Sequence, residues 1–331
     1  MSRRPRVSTR RRALASGALA LTAVLVSACG TGAYAPTVVP TTTAAGGGSS
    51  PAPSASPATC TGDVTASYDP ASSTAAGRQL QGVQEVMKDG TLTVGVSADT
   101  RLLGARNPAT NVIEGFDIDT AHAVAKALFG DENKITLKVI TAADRIPDLQ
   151  NGSVEMVARN FTVNCARWQQ VAFSAVYYLA GQRVLVPTGS TAKSIADLPK
   201  GSRVCAPSGS TSLAKLATYP ALKPVAAGTH TECLVMLQQG QVDAITGDDV
   251  VLAGLVAQDP YTKVIGPKFT QEPYGLGINS KNRDFVAFAN AALAQYEKDG
   301  GWQASYNRWL RDPLGPGRPP TPVYGRRGPT G

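Results

Sequence analysis

Apolar and polar positions along the chain fall into two successive series of strand and helix signals. "TLTVGVSA" at 91–98 is short and β-branched, so it predicts a strand; "GFDIDTAHAVAKALFG" at 115–130 places Ile118, Ala121, Val124, Ala125 and Leu128 on one helical face. "ITLKVI" predicts a second strand, "RIPDLQNG" a helix closed by Asn-Gly, and "VEMVA" a third strand. A second series follows "QRVLVPTG" and runs through "SRVCAPSGSTSLAKLA", "KPVAAG", "TECLVMLQQG", "VDAITGDD" and "VVLAGLVAQ". From Asn279 to Leu310 the pattern is helical throughout. Such alternation predicts an α/β fold built on open parallel sheets.

The chain ends break this pattern. Six arginines precede residue 13 and an apolar run follows from Ala13 to Val26. That run is too short to span a bilayer and suits the central region of a signal peptide. "VSAC" ends the run at Cys29 and resembles a bacterial lipobox. The expectation is cleavage after residue 28, lipid on Cys29, and a protein held at the outer face of the cell membrane. Thr9 and the arginine pairs hint weakly at twin-arginine export. Residues 30–59 carry no charge and little beyond small residues, Thr, Ser and Pro, so they cannot bury enough apolar surface to offset chain entropy. The expected layout is a signal peptide at 1–28, a flexible tether at 29–77 that includes Cys60, and a disordered Pro/Gly-rich tail at 313–331.

Removing these ends changes the charge picture. The net charge of +8 includes the six leader arginines and Arg318, Arg326 and Arg327 of the tail, so the middle of the chain is near −1. The basic balance is therefore no argument for nucleic-acid binding. Cys60, Cys165, Cys205 and Cys233 fit no zinc spacing. In an exported chain two disulfides are expected, and three pairings are open. Neither a metal nor a cofactor motif is present, so none is expected.

Two loops carry chemistry. "APSGSTSLAKL" sets Ser208 to Ser212 between a strand and a helix, where free N–H groups and hydroxyls suit an anion or a capping turn. It lacks the Gly-Lys of a phosphate loop. "VDAITGDDVVLAG" ends a strand in Asp248 and Asp249; Asp249 is expected to cap the next helix, leaving Asp248 at the ligand edge to meet an ammonium.

"GFDID", "DRIPDLQNGSVEMV", "TVNCARWQQVAFS", "SGSTS", "VDAITGDDVVLAG" and "QEPYGLGI" together resemble, in order and spacing, the polar amino-acid solute-binding proteins of bacterial ABC importers. The resemblance implies a two-lobe periplasmic binding protein type II fold with two crossing hinge strands. Lobe one would comprise 78–178 and 270–312, and lobe two 179–269. It assigns Arg167 and Thr162 to the ligand α-carboxylate, with Ser210 and Thr211 meeting it from lobe two. Asp248, helped by the backbone at Asn160, would hold the α-ammonium. Arginine suits this place because its planar fork reaches both carboxylate oxygens.

Arg145 falls where acidic-ligand members hold the distal carboxylate, and Ala142 where glutamine binders offer an aromatic wall. Glutamate or aspartate is favoured over glutamine or asparagine. A second arginine of the acidic binders is replaced by Ser97, with Arg101 or Arg106 downstream as substitutes. The two-lobe layout favours disulfides within lobes, Cys60 with Cys165 and Cys205 with Cys233, which leave the hinge free. The implied partners are a small amino acid and an ABC permease. The alternatives are a sensor that passes its ligand-bound form to a separate membrane protein, and a dehydratase-type enzyme on the same fold. Catalysis is disfavoured because His122 lies in an Ala-rich helical run and His230 at a helix start, neither paired with a nucleophile.

Overall fold

A computed structural model describes residues 62–327. The expected signal peptide at 1–28, Cys29, Cys60 and the last four residues lie outside the described residues. Two five-stranded sheets form two lobes. In lobe one the order is Ile135–Val139, Leu92–Val96, Met156–Val157, Gly277–Ile278, Ala172–Phe173. In lobe two it is Lys223–Ala227, Arg203–Pro207, Ala244–Asp248, Gln182–Pro187, Thr262–Ile265.

Each sheet begins with parallel pairs, as the βαβ pattern requires, and then departs from it. Gly277–Ile278 runs antiparallel to both of its neighbours in lobe one, and Gln182–Pro187 antiparallel to both of its neighbours in lobe two. Both belong to segments that have just passed between lobes, so they enter their sheets from the opposite end. The crossing itself is the antiparallel pair Tyr178–Ala180 and Glu272–Tyr274, with Glu272 opposite Ala180 and Tyr274 opposite Tyr178. The expected two lobes and two crossing strands are therefore present.

Local chemistry explains the elements that matter to the cleft. Helix Phe116–Phe129 starts after Gly115, whose φ of 146° and close approach to the Leu103 carbonyl exclude any side chain there. Asp117 and Asp119 occupy its first turn, where the positive end of the helix favours them. Ile118, Ala121, Val124, Ala125 and Leu128 are all buried, as their spacing predicts, and Gly130 closes the helix in a left-handed conformation. This face packs with helices Arg283–Lys298 and Gly301–Trp309 in the main core of lobe one. The opposite face of that sheet buries Leu149, Phe161, Val171 and Phe173. Lobe two likewise has a core on each side of its sheet.

Between Asp99 and Glu114 the chain forms three short antiparallel strands that the sequence pattern does not announce.

The terminal segments differ from expectation. Ser67, in the expected flexible tether, is fully buried; its Oγ donates to the Phe173 carbonyl and accepts from Asn290. The C-terminal tail, expected to be disordered on composition, pairs with it: Ser67 N donates to Val323 O and Arg326 N to Ser67 O, each at 2.9 Å. The Arg326 guanidinium lies 3.9 Å from the centroid of Trp168. A few buried hydrogen bonds and one cation–π contact hold segments whose composition alone argues for disorder.

Cys205 and Cys233 are joined within lobe two, as expected. Cys165 is also disulfide-bonded, and its expected partner Cys60 lies outside the described residues. The Cys205–Cys233 bond closes a sequence separation of 28 residues. Replacing both cysteines by alanine should lower unfolding free energy by about 2–4 kcal/mol, read by denaturant titration.

Candidate functional site

The cleft between the lobes narrows to a small polar cavity. Arg145, Arg159, Asn160, Thr162 and Arg167 line it from lobe one; Ser210, Thr211, His230 and Asp248 line it from lobe two. Seven of the nine expected ligand residues therefore share one cavity. Ser97 and Arg101 do not line it. Ser97 Oγ is spent on Asp99 and Thr100, and Arg101 is exposed, its carbonyl packed against Gly254 of lobe two. Arg106, the other candidate substitute, is exposed and bonded to Asn111.

Arg167 sits on the short helix Cys165–Trp168, capped by the Asn164 side chain. Its Nη1 donates to the Thr162 carbonyl at 2.6 Å and its Nη2 to the Gly209 carbonyl at 3.1 Å. Burial lowers its pKa to about 10, so it remains charged at neutral pH. Two of its five N–H groups are engaged, which leaves a fork for a carboxylate. Arg145 is more fully committed. Its Nε bonds Ala142 O, its Nη1 the carbonyls of Arg159 and Asn160, and its Nη2 Gly209 O. Both guanidinium groups lie over the Phe161 ring, at 4.5 Å for Arg145 and 4.9 Å for Arg167.

The acids sit opposite. Asp248 stands at the N-cap position of helix Asp249–Val256, but its side chain caps nothing. Its Oδ2 accepts from the Tyr274 hydroxyl at 2.5 Å, and its Oδ1 is buried without a partner. Asp249, the expected cap, instead accepts from Gly181 N and pairs with Lys268 at 2.8 Å. Swapping these roles keeps the expected consequence, a free acceptor at Asp248. Desolvation, reinforced by Glu272, raises the Asp248 pKa to about 7.

Asn160 corrects the expected geometry. Its backbone N–H donates to Asp117 at 2.7 Å and its carbonyl accepts from Arg145, so the backbone is occupied. The side-chain Oδ1 is the atom left buried and unpartnered. Asn160 holds φ at 33°, a strained value fixed by Asp117 beneath it.

The hydroxyls are also pre-engaged. Ser210 caps helix Thr211–Leu216 through Leu213 N and donates to Pro207 O. Thr162 and Thr211, from opposite lobes, both donate to Glu272 Oε2 at 2.7 Å. Thus a carboxylate on the hinge strand already joins the lobes. Sequence reasoning quoted "QEPYGLGI" and assigned no role within it, yet Glu272 and Tyr274 both brace the site. Asp117 was equally legible in "GFDID" and equally unassigned. His230, expected to be an ordinary helix-start residue, lines the cavity; burial lowers its pKa to about 4, so it is neutral, with Nε2 3.2 Å from the Thr246 carbonyl. Arg159 was passed over altogether.

A charged cavity between two α/β lobes, with cation and anion facing one space, defines a two-lobe solute-binding protein. Residues 92–312 match the family of bacterial extracellular solute-binding proteins, family 3, and the chain belongs to that family. It is 37% identical over 222 residues to the ABC transporter glutamine-binding protein GlnH of Bacillus subtilis, covering 67% of this chain and 81% of that one. It is 31% identical over 246 residues to the glutamate-binding protein GluB of Corynebacterium efficiens, covering 71% and 82%. The crystal structure of a cysteine-binding protein from Campylobacter jejuni superposes with a TM-score of 0.68 at 26% identity, over 71% of this chain and 95% of that one.

Gly209 permits the closed contact. It has φ 71°, and a Cβ there would lie 2.8 Å from Ala143 Cα of lobe one. Gly209→Ala should destabilise the protein by about 1–2 kcal/mol and prevent full closure, seen as a larger radius of gyration than wild type by small-angle scattering. Asp248 also sets a pH response. Because its folded pKa is raised from 3.8 to about 7, the unliganded protein holds an extra proton in that window and loses stability as pH rises through it. An ammonium ligand needs the carboxylate, so its affinity moves oppositely, weakening roughly tenfold per pH unit below about 7. Calorimetry at pH 5.5 and 8 reads both signs.

Proposed function

We propose that the protein is an extracytoplasmic binding protein, lipid-anchored through Cys29, that captures a polar amino acid between its lobes and delivers it to an ABC permease. One observation carries this reading: Arg167, with N–H groups to spare, lines the same cavity as two buried, unpartnered acceptors, Asp248 Oδ1 and Asn160 Oδ1. A zwitterion supplies what each lacks. Its α-carboxylate takes the Arg167 fork, and its ammonium takes Asp248 and Asn160. Thr162, Thr211 and Ser210 frame the carboxylate end and hold its partners in place. The ligand then bridges both lobes, so binding energy is realised in the closed form that a permease can recognise.

The same closure excludes water and strengthens each pair. Binding without catalysis fits the binding-protein names of the relatives and the engagement of His230 by a main-chain carbonyl.

For the ligand side chain, Arg145, Arg159 and Arg167 against Asp248 give the cavity lining excess positive charge, which supports glutamate or aspartate. A glutamine reading rests on the name of the B. subtilis relative and on a neutral His230.

Arg167→Ala should reduce affinity for every amino acid bound by the wild type by at least about 100-fold, since it strands a desolvated carboxylate. Isothermal titration calorimetry against the twenty amino acids measures this, with a thermal melt to show the fold intact. Unaltered affinity in a folded variant would refute the assignment.

A further inference from the structure

Arg159 is a buried cation with almost nothing to hold. It follows strand Met156–Val157 at the ligand edge of the lobe-one sheet and is 4% exposed. Its Nε donates to the Ile140 carbonyl at 2.8 Å. Among the described residues, its two terminal nitrogens make no hydrogen bond and no carboxylate lies within ion-pair distance. Asp99, Asp117 and Asp144 attract it only from farther away. Asp117, the nearest in role, has one oxygen on Tyr177 and the other on Asn160 N.

Taking a guanidinium out of water without a paired anion costs several kcal/mol. Arg159 lines the cleft cavity, and also a neighbouring groove with Asp99 and Asp144, and keeps donor capacity that a ligand carboxylate would use.

Arg145 feels Arg167, Arg159 and Asp248, while Arg167 feels Glu272 and Asp248 and not Arg159. His230 feels Arg159 and Arg145. Arg167, Asp248 and the threonines suit an amino acid's zwitterionic head, with Arg145 sharing Gly209 O and the Phe161 ring with Arg167. Arg159 and neutral His230 line the same cavity. There Arg145 has already given four N–H bonds to main-chain carbonyls, whereas Arg159 keeps both terminal nitrogens free.

We propose that Arg159 is the specificity-determining residue that takes the distal carboxylate of a glutamate or aspartate ligand. It does from the bend after strand Met156–Val157 what Ser97, Arg101 and Arg106 do not do. This rests on the amino-acid reading of the site and deepens it by fixing the ligand as acidic.

The test is calorimetry on the full chain with L-glutamate, L-aspartate and L-glutamine as titrants, for wild type, Arg159→Gln and Arg159→Lys. Wild type should bind glutamate or aspartate more tightly than glutamine. In Arg159→Gln the acidic ligand should lose on the order of 10- to 100-fold, the span of a hydrogen bond to a charged group, while glutamine changes by less than about threefold, having no charge to pair there. Arg159→Lys, which keeps the charge and loses the fork, should fall between the two and guards against a Gln variant that does not fold. Equal losses for glutamate and glutamine, or an unaltered ratio between them, would overturn the role of Arg159 while leaving the amino-acid reading standing. Failure of the wild type to bind any amino acid would overturn both.

Discussion

Three guanidinium groups, Arg145, Arg159 and Arg167, are held away from bulk water in one cleft, and the loops of lobe one fold so that something other than water solvates them. Main-chain carbonyls of Ala142, Arg159, Asn160, Thr162 and Ile140 do most of this. A carbonyl is a dipole and not a charge, so it satisfies a donor without neutralising it. Phe161 adds an aromatic face beneath two of the three. Asp117, Asp248 and Glu272 supply the opposing charge around them.

The hinge takes part in this balance. Glu272 and Tyr274 lie on a crossing strand and reach into both halves, one through Thr162 and Thr211, the other through Asp248. Gly209 adds its carbonyl from lobe two to both Arg145 and Arg167. The closed form thus has hydrogen bonds of its own, made by groups that a ligand carboxylate would compete with or join. Closure and binding are coupled because they draw on the same few donors.

Much of this was legible in the order of residues. Helix Phe116–Phe129 and the strands around it follow from periodicity and glycine placement, and the motif order points to two lobes. Arg167 and Thr162 were placed by the motifs of the family resemblance, Asp248 also by its strand end, and the three line one cavity. What could not be read depends on contacts across long sequence separation. Ser97 sits near the first strand, as the motif suggested, but its hydroxyl turns inward to Asp99. Arg159 looks like an ordinary residue after a strand until the opposite lobe covers it. The terminal segments look disordered because composition records no partner; Asn290, more than two hundred residues from Ser67, supplies one.

That terminal docking joins both described ends of the chain to lobe one. The chain from Asp63 to Tyr68 and the returning stretch near Arg326 grip Trp168, the neighbour of Arg167 on the same helical turn. Tension on either docked segment would therefore bear on lobe one, at the turn that presents Arg167. The docked ends and Arg167 thus share one packed unit, and the cleft can open without breaking the hydrogen bonds that join them.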